Sequence, residues 1–164
     1  MIRERSFTWS DPNLSAEAAR SMAGLDLMRA LRDGAIPPPP VIDLVGISLT
    51  EVDEGHVVMC LTPAEYHYNP IGTMHGGILA TLLDSVMGCA VHTTLPKGRG
   101  YTSLEIKVNY IRAVTSASGK LSAAGKLVHG GNRSAVAEAR VVDAKGRLCA
   151  TASTTCLVFD LPSP

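Results

Sequence analysis

The chain has 164 residues, of which 46% are hydrophobic and 18% are charged, so it predicts one ordinary domain and excludes general disorder. Lys and Arg number 15 and so do Asp and Glu, and aromatic residues make up 4%; this excludes a nucleic-acid-binding protein that works by phosphate charge or base stacking. Because the sequence contains neither a long apolar run nor a secretory leader, we expect a cytoplasmic protein without a membrane span.

The first forty residues predict an accessory region. Residues 11–34 predict one amphipathic helix, because Asp11-Pro12 suits a helix start and Gly34 suits a helix end. Four prolines at 37–40 then predict a stiff spacer, with a partner-binding proline motif as the alternative. We therefore divide the chain into an accessory segment over 1–40 and a main domain over 41–164.

The main domain predicts six strands and one long helix. Two strands at 42–51 and 55–63 precede a loop, and a helix follows from Gly76 to Thr94, whose apolar residues recur with the helical period over four turns. Alternating and turn-bounded segments then predict an antiparallel meander: 102–113, 119–129, 133–143 and 147–159. Wrapping one antiparallel sheet around the apolar helix is the simplest way to bury it, which gives an α+β fold.

Several kinds of site are absent from the sequence. The four cysteines and five histidines show no metal-ligand spacing, so we predict no metal site and four buried thiols rather than two disulfides. The sequence also lacks a phosphate loop, a dinucleotide fingerprint and a Gly-x-Ser-x-Gly motif. We therefore expect no cofactor, and neither a serine hydrolase nor a nucleotide-triphosphate enzyme.

The junction between the loop and the long helix is the first candidate site. The first amides of a helix lack internal partners and carry the positive end of the helix dipole. Gly76 and Gly77 leave those amides accessible to a ligand oxygen, which is what an oxyanion site requires. The alternative is a tight turn or close packing that needs glycine.

Asp84 is the second candidate, because it lies at the edge of the apolar stripe of the same helix. Small neighbours predict a groove beside this carboxyl group: Gly77, Thr81 and Gly88. An acid on so apolar a helix is costly unless it is hydrated, paired or used in chemistry. The alternative is an ion pair with a basic residue at a subunit interface, and the low charge of the apolar chain itself favours an oligomer.

The segment from Asn69 to Asp84, Asn-Pro-Ile-Gly-Thr-Met-His-Gly-Gly-Ile-Leu-Ala-Thr-Leu-Leu-Asp, resembles the active-site segment of hotdog-fold acyl-CoA thioesterases. The similar branch is typified by phenylacetate-degradation thioesterases and mammalian thioesterase superfamily member 2, and residues 101–112 are similar to its next strand. The resemblance covers residues 41–159. It implies a hotdog fold and a homodimer with a continuous sheet that assembles to a homotetramer. It also places the sites at the dimer interface, where the acid and the helix-start amide come from different subunits.

The resemblance also implies roles for individual residues. The Gly76 amide would polarise the thioester carbonyl, and Asp84 would act as nucleophile or general base. Asn69 would position the water or the thioester, and His75 would shape the loop. Ser103 aligns with a helper hydroxyl, but strand alternation places Thr102 rather than Ser103 beside Leu104 and Ile106, so this role needs a bulge or an interface-facing position.

The function implied by the resemblance is hydrolysis of an acyl-CoA, with Gly77 and Thr81 lining the substrate groove. Arg112 and Arg133, at strand ends, suit the phosphates of coenzyme A, although solvated strand ends look the same. The alternatives are a hotdog-fold hydratase or dehydratase of enoyl or 3-hydroxyacyl thioesters, and a non-catalytic acyl-CoA-binding protein. The N-terminal helix lies outside the resemblance, and would extend the oligomer interface or cover the acyl tunnel.

Overall fold

A computed structural model describes residues 1–162 of the chain. It contains four α-helices: α1 (Pro12–Ser21), α2 (Gly24–Arg32), α3 (Pro40–Val45) and α4 (Gly76–His92). It contains six strands: β1 (Ile47–Asp53), β2 (His56–Leu61), β3 (Arg99–Tyr110), β4 (Leu121–Gly130), β5 (Ser134–Val142) and β6 (Leu148–Asp160). None of the helices within residues 1–162 combines the length and the apolar character needed to cross a bilayer.

One antiparallel sheet in the order β1-β2-β4-β5-β6-β3 packs against α4. The inner face of α4 is fully buried, and it meets the inward-facing residues of β2, β4, β5 and β6 in one core. The closest approach is at Gly125, where an added Cβ would lie 2.5 Å from the Val86 carbonyl oxygen. The prediction of an α+β fold, with about six strands wrapped around one long helix, is confirmed.

The predicted meander is only partly right, because β3 pairs with β6 at the edge of the sheet rather than with β4. The connection from β3 to β4 carries the chain past the start of α4. It is held there by buried Val114, whose carbonyl accepts a hydrogen bond from the Met74 amide at 2.8 Å. Periodicity identifies strands but does not fix which strand lies beside which, so this long-range connection was missed.

The predicted strand over 42–51 is wrong in its first half, where α3 forms instead. Pro40 occupies the first turn of α3, a position where its missing N–H costs nothing, and Gly46 ends the helix with a left-handed φ of 83°. Strand β1 therefore begins at Ile47, after the helix has ended.

The single N-terminal helix predicted over 11–34 is also wrong, because the chain breaks into α1 and α2 at Met22 and Ala23. The break lets Gly24 press against the end of α4: its amide donates to the Leu95 carbonyl at 2.9 Å, and an added Cβ would overlap the His92 carbonyl oxygen. Helix α2 then packs on β1 and α4, so part of the accessory segment is in contact with the main domain. The division at residue 40 stays a prediction.

All four cysteines are unpaired, as expected. Cys60, Cys149 and Cys156 are buried, whereas Cys89 is only partly buried on α4. The expectation of four buried thiols is therefore corrected to three.

Candidate active site

The start of α4 presents a backbone amide to the surface. His75 caps the helix, and its Nδ1 accepts a hydrogen bond from the Gly77 amide at 2.9 Å. The Gly76 amide has no acceptor among residues 1–162. Gly76 therefore supplies the free donor that the predicted oxyanion site needs, while His75 shapes the helix start by occupying the neighbouring amide.

Tyr110, at the end of β3, holds Gly76 from the other side. Its hydroxyl donates to the Gly76 carbonyl at 2.9 Å, and an added Cβ on Gly76 would lie 3.0 Å from the phenol ring. Tyr110 was not among the predicted site residues. The only indication in the sequence was that Tyr110 lies on the same face of β3 as Val108, because the two are separated by one residue. Nothing local to the strand shows that this face contacts the start of α4.

Asn69 organises the loop that precedes α4. Its Oδ1 accepts from the Ile71 and Thr73 amides, each at 3.1 Å, and its Nδ2 donates to Thr73 Oγ1 at 3.0 Å. The loop is also fixed by buried His67, whose carbonyl accepts from the His75 amide at 2.8 Å. Asn69 thus has a visible structural role, and its contact with water or thioester stays a prediction.

The carboxyl group of Asp84 accepts a short hydrogen bond, 2.7 Å long, from the hydroxyl of Ser103 on β3. Strand alternation alone would point Ser103 away from the side of Ile106, but the register shifts between Ser103 and Glu105. This bulge puts Ser103 on the helix side despite its odd position, because the extra residue reverses the alternation. The structure therefore brings Asp84 and Ser103 together, and the role of Ser103 as a helper hydroxyl stays a prediction.

The bulge is built by β6. The Thr155 amide donates to Glu105 Oε1 at 2.7 Å, and Thr154 Oγ1 donates to the Glu105 carbonyl at 2.6 Å. Leu104, the extra residue, is left 61% exposed. Two strand partners thus fix the position of the Ser103 hydroxyl.

Asp84 has an open groove on one side. Thr81, Ser103 and Ile106 line this groove together with Asp84, at the free edge of the sheet. The predicted groove beside the acid is thus present at Thr81. Gly88 does not belong to it, because an added Cβ there would lie 2.3 Å from the Tyr101 hydroxyl oxygen, so this glycine serves close packing.

On its other side Asp84 borders a cavity of about 590 Å³ between α4, β1 and the N-terminal helices. Burial, and then the charge of Asp84, raise the pKa of the Cys89 thiol in this cavity to about 12. Burial is also the main cause that raises the pKa of Tyr101 and the cause that lowers the pKa of His92. These three titratable residues of the cavity are therefore uncharged at neutral pH, and Asp84 forms no ion pair within residues 1–162.

Gly76 and Asp84 cannot act on one thioester within one chain. They are eight residues apart on one straight helix, which separates them by about 12 Å along its axis at a rise of roughly 1.5 Å per residue. Reacting atoms must approach to about 3–3.5 Å. Within one chain, therefore, the Gly76 amide and the Asp84 carboxyl group do not reach the same reacting carbonyl, and a site shared between two copies stays a prediction.

Arg112 and Arg133 are both exposed, but they lie at opposite ends of the sheet. The Arg112 amide donates to the Cys149 carbonyl at the beginning of β6, whereas the Arg133 carbonyl accepts from the Val158 amide near its end. These positions on β6 are nine residues apart, or about 30 Å at a rise of roughly 3.3 Å per residue. Within one chain the two arginines cannot share a phosphate group, and their role in binding coenzyme A stays a prediction.

Comparison with known proteins gives consistent matches. Residues 71–150 match the thioesterase superfamily. A Halobacterium salinarum protein named "putative esterase" is 30% identical over 128 residues, which are 74% of this chain and 83% of that protein. Human acyl-coenzyme A thioesterase 13 is 34% identical over 65 residues, or 40% of this chain and 46% of that protein.

The fold also matches solved structures. A hypothetical thioesterase of Streptococcus pneumoniae, crystallised with coenzyme A, superposes with a TM-score of 0.64 at 27% identity, over 71% of this chain and 88% of that one. The expectation of a hotdog fold is confirmed by this match together with the sheet that wraps α4.

Proposed function

Because the chain belongs to the thioesterase superfamily, we propose that it hydrolyses an acyl-CoA thioester to a free acid and coenzyme A. The observation that carries this proposal is the pair formed by a free helix-start amide at Gly76 and a carboxyl group at Asp84 that borders an open groove. The similarity to an acyl-coenzyme A thioesterase and to a thioesterase crystallised with coenzyme A supports this substrate class.

The site forms between two copies that pair along β3. This strand is a long sheet edge, and it leaves several apolar side chains exposed on or just after it: Leu104, Ile106, Tyr110 and Ile111. An unprotected apolar edge of this kind is a template for pairing with another chain. With a two-fold axis at the bulge, the β3 strands of the two copies would pair and form one continuous sheet, and the two α4 helices would be antiparallel. The Gly76 amide of each copy would then face the Asp84 groove of the other.

In this arrangement the thioester oxygen accepts a hydrogen bond from the Gly76 amide, and the charge that develops on it is stabilised. Asp84 of the other copy removes a proton from the attacking water, or attacks the carbonyl carbon itself and is released by water. Ser103 holds the carboxyl group in line, and the carbon–sulfur bond breaks as coenzyme A leaves with a proton. A lost oxyanion donor typically costs about 10²–10³ in rate, and a lost general base about 10²–10⁴.

Replacement of Asp84 by Asn tests the proposal, because the amide has nearly the same shape but cannot take the proton. We expect kcat for thiol release to fall about 10²–10⁴-fold with unchanged circular dichroism and melting temperature. Asp26→Asn, at an exposed position of α2, is the matched control and should retain full turnover. Undiminished turnover in Asp84→Asn would show that this carboxyl group is not the base or nucleophile.

A panel of acyl-CoAs separates the proposal from its two alternatives. A hydratase or dehydratase would change the enoyl absorbance of crotonyl-CoA without releasing thiol. A non-catalytic binder would turn over no thioester and would still gain thermal stability with acyl-CoA. Thiol release from the wild-type protein excludes the second alternative directly.

A further inference from the structure

The cavity beside Asp84 is covered on one side by the N-terminal helices of the same chain. Leu27 and Met28 of α2 and Ala16 and Ala19 of α1 face it, opposite Leu49 of β1 and the flank of α4. The family match covers residues 71–150, so neither helix belongs to the matched segment. Segments outside the matched region thus cover a space that borders the proposed catalytic acid.

The cavity has the size and lining of a small-molecule pocket. Its volume of about 590 Å³ lies within the range of roughly 300–1,000 Å³ that is usual for ligand sites, and its wall is mostly aliphatic. Along α4 it extends from Asp84 to His92, which is about 12 Å at a rise of roughly 1.5 Å per residue. An extended chain advances about 1.2 Å per bond, so this length holds roughly ten carbon–carbon bonds.

The cover is firmly attached at the end remote from Asp84. The Gly24 amide donates to the Leu95 carbonyl, and the Gly24 Cα lies directly against the His92 carbonyl. Leu27 and Met28 are each only 4% exposed. The N-terminus of α2 therefore blocks the end of the cavity at His92, and the proposed catalytic acid Asp84 lies at the other end.

We propose that this cavity is the acyl chamber of the enzyme, that it accepts straight apolar acyl chains of up to about ten carbons, and that Ala19 and Met28 of the N-terminal helices set that limit. The inference rests on the proposed thioesterase function and adds the acyl class and the residues that select it. Each methylene that leaves water for this wall gains about fourfold in binding. The wild-type kcat/KM should therefore rise with chain length from acetyl-CoA to about decanoyl-CoA and then fall.

The sharpest test is a pair of Ala→Leu substitutions on α1, a helix without buried residues, so that neither variant threatens the fold. Ala19 faces the cavity, and Ala18, beside it on the same helix, does not. Ala19→Leu puts a side chain into the chamber, so kcat/KM for decanoyl-CoA should fall at least tenfold while butanoyl-CoA changes less than twofold. Ala18→Leu should leave the whole chain-length profile within twofold of wild type.

Met28→Ala provides the opposite change, because it enlarges the chamber. It should move the optimum toward lauroyl-CoA and raise kcat/KM for that substrate several-fold relative to octanoyl-CoA. Equal profiles for wild type, Ala19→Leu and Met28→Ala would overturn the chamber assignment while leaving the thioesterase function standing. If the wild-type protein released thiol from none of the acyl-CoAs, the proposed function would fail, and this inference with it.

Discussion

The two flanks of α4 beside Asp84 differ in how far other segments of the chain cover them. On the β1 flank, α2 and α3 pack beside the edge strand and line a cavity, and Leu27 and Met28 are buried there. On the β3 flank, a 12-residue edge strand lies open, with Leu104 at 61% exposure beside the carboxyl group. The same acid thus faces a partly enclosed, mostly apolar cavity on one side and a more open groove on the other.

In the proposed function, this difference places the two halves of a thioester on the two flanks. An acyl group is apolar and gains from a dry enclosure, whereas the reacting carbonyl needs donors that the chain cannot supply beside its own Asp84. The β1 flank is covered by the chain itself, whereas in the proposed function the β3 flank is completed by a second copy. An uncovered β3 beside a covered β1 would direct that second copy to β3.

The largest effect on the open flank should come from removing the Gly76 amide with proline. Proline suits the first helical position, and the His75 backbone, at φ −61° and ψ 133°, already has the conformation that precedes proline. Gly76→Pro should therefore keep α4 and lower kcat about 10²–10³-fold, as for other lost oxyanion donors. The measurement is steady-state thiol release together with the helical signal in circular dichroism.

Gly76→Ala is the control, because it adds a similar Cβ beside the Tyr110 ring and keeps the N–H. Tyr110 is 55% exposed and can move by the few tenths of an ångström required. Alanine should cost far less turnover than proline. If both variants were equally impaired, steric crowding rather than the amide would explain the loss.

The second effect should come from charging the open edge. Ile106→Lys places a cation in the groove beside Asp84 and on the pairing strand, so we expect the protein to dissociate to monomers. Turnover should fall at least tenfold, because a monomer lacks one half of each site. Sedimentation velocity and thiol release, both followed against protein concentration, check the two effects together.

The matched control lies on the covered flank. Leu44 of α3 is 47% exposed, similar to Ile106 at 36%, so Leu44→Lys makes the same change where no pairing is proposed. We expect its sedimentation and its turnover to match the wild type. A fully active Ile106→Lys monomer would contradict a site shared between copies.

The sequence was sufficient for the features that depend on local pattern. The period of α4, the glycines at its start and the position of Asp84 on its flank all follow from residues within a few turns of one another. The structure adds that His75 uses one of the two glycine amides and leaves the other free, which requires the side-chain rotamer and not the residue type alone.

The features that the sequence did not predict depend on partners far along the chain. The bulge that turns Ser103 toward Asp84 is held by Thr154 and Thr155, about fifty positions later. The break between α1 and α2 lets Gly24 pack closely against the backbone carbonyl of His92. Such contacts override local propensity, so a pattern of residues 11–34 reads as one helix although the folded chain needs two.

The smallest effect on turnover, and the one that isolates the covered flank, should come from Gly24→Ala. The new Cβ would overlap the His92 carbonyl oxygen, a backbone atom that cannot swing away, so α2 must shift outward. We expect a loss of about 1–3 kcal/mol in the free energy of unfolding, as for other overpacked sites. Gly130→Ala, whose Cβ would meet only the flexible end of Leu127 at 3.3 Å, should cost much less.

Because the open flank is untouched, butanoyl-CoA hydrolysis by Gly24→Ala should stay within about threefold of wild type, while decanoyl-CoA hydrolysis declines further. Equal losses for both substrates would mean that α2 supports the whole site rather than the chamber alone.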